Sequence, residues 1–96
     1  MKLAVFIDSL TENLPPEGLS VYLQALWYDA KGDWQCAHDL IDHLEGQTAA
    51  HIHAYLHRKE GDSWNAQYWY NRAKQPMPEK PLDEEWLDLF NLLSAK

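Results

Sequence analysis

The apolar residues of this chain recur every three or four positions, which is the spacing of one face of an α-helix. The clearest stripe consists of Leu19, Leu23, Leu26, Trp27 and Ala30. Stripes of this kind predict helices over residues 3–10, 17–31, 33–45, 48–60 and 62–74, and a last helix that begins at Asp83. Residues 3–10 would also suit a strand, but a lone strand leaves its backbone groups unpaired and no other segment offers it a partner. The predicted fold class is therefore all-α.

Glycine and aspartate mark the corners between these helices. Gly32 is predicted to end one helix as its C′ residue, and Asp33 is predicted to cap the next. Gly61 and Asp62 repeat the pair. A link this short requires the two helices that it joins to pack antiparallel. Prolines predict breaks at Pro15-Pro16 and in the connector 75–81. Gly46 is predicted to end helix 33–45, and Thr48 and Asp83 are predicted to be N-caps.

The two corners belong to an internal repeat with a spacing of 29 residues. The repeated residues are Ala25, Gly32, Asp33 and Ala37 in the first copy and Ala54, Gly61, Asp62 and Ala66 in the second. Repetition at a fixed period is typical of stacked helix pairs. The sequence thus predicts one domain, residues 1–96, with two antiparallel helix hairpins, an N-terminal helix and a C-terminal capping helix.

The second copy resembles a tetratricopeptide or Sel1-like helical repeat. The matching positions are Ala54, Gly61, Ala66, Tyr70, Ala73 and Pro78. The segments GDW-x-x-AH and YLHRKEGD-x-x-NA-x-YWY are also similar to those of a set of short bacterial proteins, to which no activity attaches. The repeat resemblance implies a scaffold whose concave surface holds a peptide or a partner protein. Two repeats are fewer than the three that stability usually needs, so the resemblance leaves capping by the terminal helices or dimerisation as alternatives.

The charge of the chain narrows the choice of partners. Fifteen acidic residues against eight basic ones give a net charge of −7. Binding to nucleic acid or to an anionic membrane needs clustered lysine and arginine, so neither partner is predicted. The one cysteine, Cys36, cannot form an internal disulfide. The absence of a signal-peptide pattern and of any long apolar run predicts a cytoplasmic protein.

His53 and His57 form the sharpest local motif. Their spacing places both imidazoles on one helix face, about 6 Å apart, where they can fill two metal coordination positions. A third ligand would have to come from His38, Asp42 or Glu60. The plainer interpretation is a pair of half-buried histidines bonded to neighbouring groups, and it predicts neither a metal nor any other cofactor. Acid–base chemistry is a further alternative.

Two further observations limit the chemistry that is predicted for the histidines. Ala54 stands where a zinc protease motif would carry its glutamate, so that enzyme class is excluded. His38 and His43 lie on the polar side of helix 33–45 and are expected to be solvated.

Basic and aromatic residues gather near the second corner. Arg58 and Arg72 can complement the C-termini of their helices or clamp an anion in two-pronged fashion. Trp64 and Tyr68 lie outside the apolar stripe of helix 62–74 and must meet a neighbouring helix, the proline connector or a partner.

No catalytic motif is present, and an enzyme is not favoured. The predicted function is a protein or peptide interaction module. Its groove would be lined by His53, His57, Arg58, Tyr70 and Arg72, with Trp64 as a further contact. The alternative is a small-molecule or metal site at the same place, where His53 and His57 act as ligands or acid–base groups and Arg58 or Arg72 holds an anion.

Overall fold

The computed structural model describes residues 1–95, which contain six α-helices and no strand. The helices are α1 (Leu3–Ser9), α2 (Val21–Ala30), α3 (Trp34–Ile41), α4 (Gln47–Lys59), α5 (Ser63–Ala73) and α6 (Leu82–Ser94). The all-α prediction is confirmed. None of these helices is long and apolar enough to cross a membrane.

The two glycine–aspartate corners have the same hydrogen-bond pattern. Gly32 and Gly61 have φ angles of +84° and +87°. The amide of Asp33 donates to the carbonyl of Tyr28, and the amide of Asp62 donates to that of His57, both at 2.9 Å. This bond spans five residues, and together with a second bond from the glycine amide it forms the Schellman motif that ends many helices. Each aspartate then caps the following helix, since its carboxylate accepts from the third amide along.

Replacing Gly61 by alanine is expected to lower the free energy of unfolding by about 1 kcal/mol. The strain would come from the backbone, because a Cβ at this position meets no other atom within 4 Å. Asparagine tolerates the left-handed conformation, so Gly61→Asn is the matched control and should lose less stability. Denaturant unfolding of the three proteins measures both differences. Equal losses for the two variants would contradict a backbone origin.

Several predicted boundaries are wrong by a few residues. Helix α2 begins at Val21 rather than at residue 17, because the Ser20 hydroxyl accepts the Leu23 amide and fixes the cap there. Helix α3 ends at Ile41 rather than at 45. Gly46 does not close it but is the N-cap residue of α4, with a φ of +101°. Thr48 therefore lies inside α4 and caps nothing.

The start of α6 also differs from the prediction. Pro81 is its N-cap residue, and the Pro81 carbonyl accepts the amides of Glu84 and Glu85 at 3.1 Å. Asp83 consequently lies in the first turn, where its charge complements the helix dipole but is not the cap.

The helices joined by the corners make the most extensive contacts, α4 with α5 and α2 with α3. The main core lies between α1, α2, α3, α4 and α6. Phe6 is fully buried there and meets the edge of the Phe90 ring at 4.9 Å. In the α2 stripe Ala30 is exposed, against prediction, whereas Ala25 and Asp29 are buried. The tetratricopeptide-like stacking of one hairpin on the other stays a prediction.

Candidate metal centre

Three histidines from two helices meet where α3 packs on α4. His38 comes from α3, and His53 and His57 come from successive turns of α4. One ligand nitrogen from each lies within 4.8 Å of the other two. The ring centroids are 4.9 Å apart for His38 and His53, and 5.9 Å apart for His53 and His57. His38 is half-buried in this cluster, so its predicted exposure to solvent is wrong.

Two indole rings hold the cluster in place. Trp34, one turn before His38, stacks on the His38 imidazole at 4.9 Å and donates from Nε1 to the carbonyl of Leu56 at 2.7 Å. That bond ties α3 to α4. Trp69 of α5 stacks on His53 with centroids 4.0 Å apart and planes only 10° from parallel. The histidine side chains are therefore positioned by three helices.

His53 is the most unusual side chain of the cluster. Its exposed fraction is 1%, and neither ring nitrogen has a hydrogen-bond partner within residues 1–95. Asp42 Oδ1 lies 3.8 Å from His53 Nε2, beyond hydrogen-bond distance. Leaving a buried polar group unpaired costs free energy, and such a group usually has an unseen partner such as a water molecule or an ion.

Burial is also the main cause of a low basicity at His53. Desolvation, with the neighbouring His38 as the second cause, lowers the pKa of His53 to about 4. The ring is therefore neutral at pH 7. A neutral imidazole has a free lone pair, which is the form that binds metal ions.

His57 has a different partner. Its Nδ1 lies 2.7 Å from Glu60 Oε1, and because a carboxylate only accepts, the imidazole donates. This leaves Nε2 of His57 as the nitrogen with a lone pair. A histidine oriented by a carboxylate is the usual arrangement around protein-bound metals. In this arrangement Glu60 can orient the His57 imidazole; Glu60 also lies with His57 and Asp62 in a second group of possible ligand atoms.

Two of the predicted groove residues lie elsewhere. The Arg58 guanidinium donates to Glu85 Oε1 at 2.9 Å and to the carbonyl of Lys80. Tyr70 is fully buried, and its hydroxyl donates to the other oxygen of Glu85. A side chain without exposed surface cannot line an open groove. Arg58 and Tyr70 therefore form a second cluster around Glu85, separate from His53 and His57.

Arg72 and Trp64 lie on the outer side of α5. The Arg72 guanidinium lies 5.3 Å from the centroid of Trp69 and donates to the Tyr68 hydroxyl at 3.1 Å. Trp69, which stacks on His53, thus lies between Arg72 and the histidine cluster. Trp64 is 77% exposed and stacks loosely on Tyr68, with ring centroids 6.4 Å apart.

Two buried carboxylates, Asp29 and Glu85, are not among the residues that the sequence indicated. Asp29 accepts from Lys59 Nζ at 2.8 Å and from the Tyr55 hydroxyl at 2.9 Å. Helical spacing could have indicated their burial, because each acid lies four residues from a buried apolar residue on the same helix face. That residue is Ala25 for Asp29 and Leu89 for Glu85.

No model of a protein family, no curated protein and no solved structure matches this chain. The case for a site here rests on the geometry of the histidines and of their surroundings.

Proposed function

We propose that this protein binds a divalent transition-metal ion, of the Zn²⁺ class, through His38, His53 and His57. One observation carries the proposal: a buried histidine without a hydrogen-bond partner among residues 1–95 lies beside two others, and the ligand nitrogens of all three lie within 4.8 Å of one another. Imidazole nitrogens suit zinc, copper, nickel and iron ions. A magnesium or calcium site would instead be built from oxygen atoms.

The distances suit an ion after small side-chain rotations. Two nitrogens bound to one tetrahedral zinc at 2.0–2.1 Å lie about 3.4 Å from each other. Closing the cluster from spacings of up to 4.8 Å to this one requires the imidazoles to turn about their side-chain torsions. Three histidines leave a fourth position, and Asp42 is placed to fill it, since its Oδ1 lies 3.8 Å and 3.9 Å from the Nε2 atoms of His53 and His38.

A metal ion at this site would act on the junction of the two hairpins. His38 belongs to the first hairpin, and His53 and His57 belong to the second. One ion bound by both would cross-link α3 to α4. Because the ion binds the folded chain, free metal at a hundredfold excess over its Kd adds about 2.7 kcal/mol to the free energy of unfolding.

Metal titration tests the proposal. Protein stripped with EDTA and dialysed is titrated with Zn²⁺ by calorimetry and with Co²⁺ by visible absorption. We expect one ion per chain, with the d–d bands of a four-coordinate nitrogen-rich site. Glu60→Gln should weaken the affinity by about 10–100-fold, because it removes the group that orients His57.

The variants separate this site from adventitious binding. His38→Gln and His57→Gln change half-buried ligands and should each abolish the Co²⁺ bands while circular dichroism stays unchanged. His43→Gln is the matched control, since His43 is exposed in the loop after α3 and belongs to no ligand cluster within residues 1–95. An affinity that survives in the double variant His38→Gln/His57→Gln would overturn the proposal.

A further inference from the structure

A groove with apolar walls lies on another face of the molecule. We call it the Trp86 groove; it has a volume of about 560 Å³ and is walled by Ile7 of α1, Ala30 of α2, and Leu82, Trp86 and Leu87 of α6. Ile7 and Leu87 are 44% and 40% exposed, although both are large aliphatic residues. The groove shares no lining residue with the histidine cluster. It is therefore independent of the proposed metal site.

The polar groups in the Trp86 groove are largely neutralised. Both oxygens of Asp29 are used, by Lys59 and by the Tyr55 hydroxyl, so this ion pair adds no net charge. The remaining charged residue of the lining is Asp83, which has no basic partner within the described chain. Glu84, the next residue, is also exposed and unpaired there.

The residues that adjoin the lining add further negative charge. Asp8 follows Ile7, and Asp33 follows Gly32; both are exposed. Lys31, between the lining residues Ala30 and Gly32, adds one positive charge, and its ammonium is held by the carbonyls of Leu10 at 2.7 Å and Glu12 at 2.9 Å. The acidic residues in the lining or next to it in sequence therefore outnumber the unpaired basic one, on a chain with a net charge of −7. Such a surface favours a positively charged ligand.

The walls also restrict the backbone conformation of a ligand. They come from helices and from the corner at Gly32, and residues 1–95 contain no strand. An extended peptide would find no strand edge to pair with there. A helix satisfies its own backbone groups and presents an apolar stripe, so it fits this groove.

We infer that the Trp86 groove binds an amphipathic helix of a partner protein, with its apolar face on Trp86 and Leu87 and lysine or arginine residues toward Asp83. The Trp86 groove is thus a different surface from the one that the sequence indicated for an interaction module. The inference also assigns the partner a chemical class, a basic amphipathic helix.

Synthetic peptides test the inference. A fluorescently labelled 18-residue helix with leucines on one face and lysines beside them is titrated with the protein, and anisotropy reports binding. A peptide of the same composition with scrambled order, and one with glutamate for lysine, are the controls. We expect saturable binding of the first peptide and at least about tenfold weaker binding of both controls, since only the first combines an apolar face with positive charge.

Variants locate the bound peptide. Leu87→Ser and Ile7→Ser should each weaken binding by about tenfold, because each removes most of a large apolar contact. Leu92→Ser is the matched control: Leu92 lies on the same helix and is 44% exposed, but it does not line the groove. Equal binding of the scrambled peptide would overturn the inference. A dimer, detected by sedimentation, that Leu87→Ser dissociates and the peptide does not displace would also overturn the inference. The occupant of the groove would then be a second copy of the chain.

Discussion

Replacing Arg58 by alanine should lower the free energy of unfolding by about 3–5 kcal/mol. Glu85 is almost fully buried, and Arg58 is its basic partner at 2.9 Å. Without the guanidinium, the carboxylate would keep only the Tyr70 hydroxyl, and an uncompensated charge would stay in the core. The same change frees the Lys80 carbonyl and loosens the attachment of α6. Urea unfolding followed by circular dichroism measures the loss.

Two further variants test whether the unpaired charge is the cause. Arg72→Ala removes an arginine of the same size that is exposed and has no carboxylate partner within residues 1–95, so it should change stability by less than about 1 kcal/mol. Glu85→Gln introduced into the Arg58→Ala protein should recover part of the loss, because a neutral amide replaces the unpaired charge. A double variant no more stable than Arg58→Ala alone would contradict this explanation.

The second large effect is a loss of stability on acidification that originates at His53. In the folded protein the pKa of His53 is lowered to about 4, chiefly by burial, whereas an unfolded histidine titrates near 6.5. Between these two values the unfolded state binds the proton and the folded state does not. The contribution of His53 is therefore intact above about pH 6.5 and declines as the pH falls to about 4, by about 3 kcal/mol in total.

The groups around His53 act in both directions. His38 and His57 oppose its protonation when they carry charge, and the Asp42 carboxylate favours it. Burial outweighs Asp42, so the direction of the effect does not change. His53→Phe keeps the stacking on Trp69 but removes the titrating group.

Comparison of the two proteins in EDTA isolates the effect of His53. Stability is measured by urea unfolding at several pH values between 4 and 7. Titration of groups that do not interact with residue 53, such as His51, whose pKa is also lowered by burial, contributes to both profiles and cancels in their difference. We expect the difference in stability between the native protein and His53→Phe to shift in favour of the variant as the pH falls. Parallel profiles would exclude His53 as the acid-sensitive group.

The sequence predicted the helices and corners because their causes are local. Apolar residues at intervals of three and four produce one buried face. A glycine that adopts a positive φ, followed by an aspartate that accepts a nearby amide, ends one helix and begins the next. Even here, the predicted starts of α2 and α6 were wrong, because Ser20 and Pro81 are the N-cap residues, and Gly46, predicted to end α3, is the N-cap of α4.

The proximity of two residues of the predicted site has the same local cause. His53 and His57 lie on one face of a single helix, so their proximity follows from helix geometry alone. Arg58 follows His57 directly in sequence, and one residue of rotation is enough to turn it toward α6 and Glu85. Sequence proximity therefore grouped residues that the fold separates.

What the sequence determined by itself is the set of helices, their two matching corners and the i, i+4 histidine pair. The tertiary structure decided which distant residues meet: His38 with that pair, and Glu85 and Asp29 with the cations of α4. Helical periodicity fixes the face on which a side chain lies. Which other helix covers that face depends on long-range packing of apolar surface, and this packing left His53 buried without a hydrogen-bond partner within the described chain.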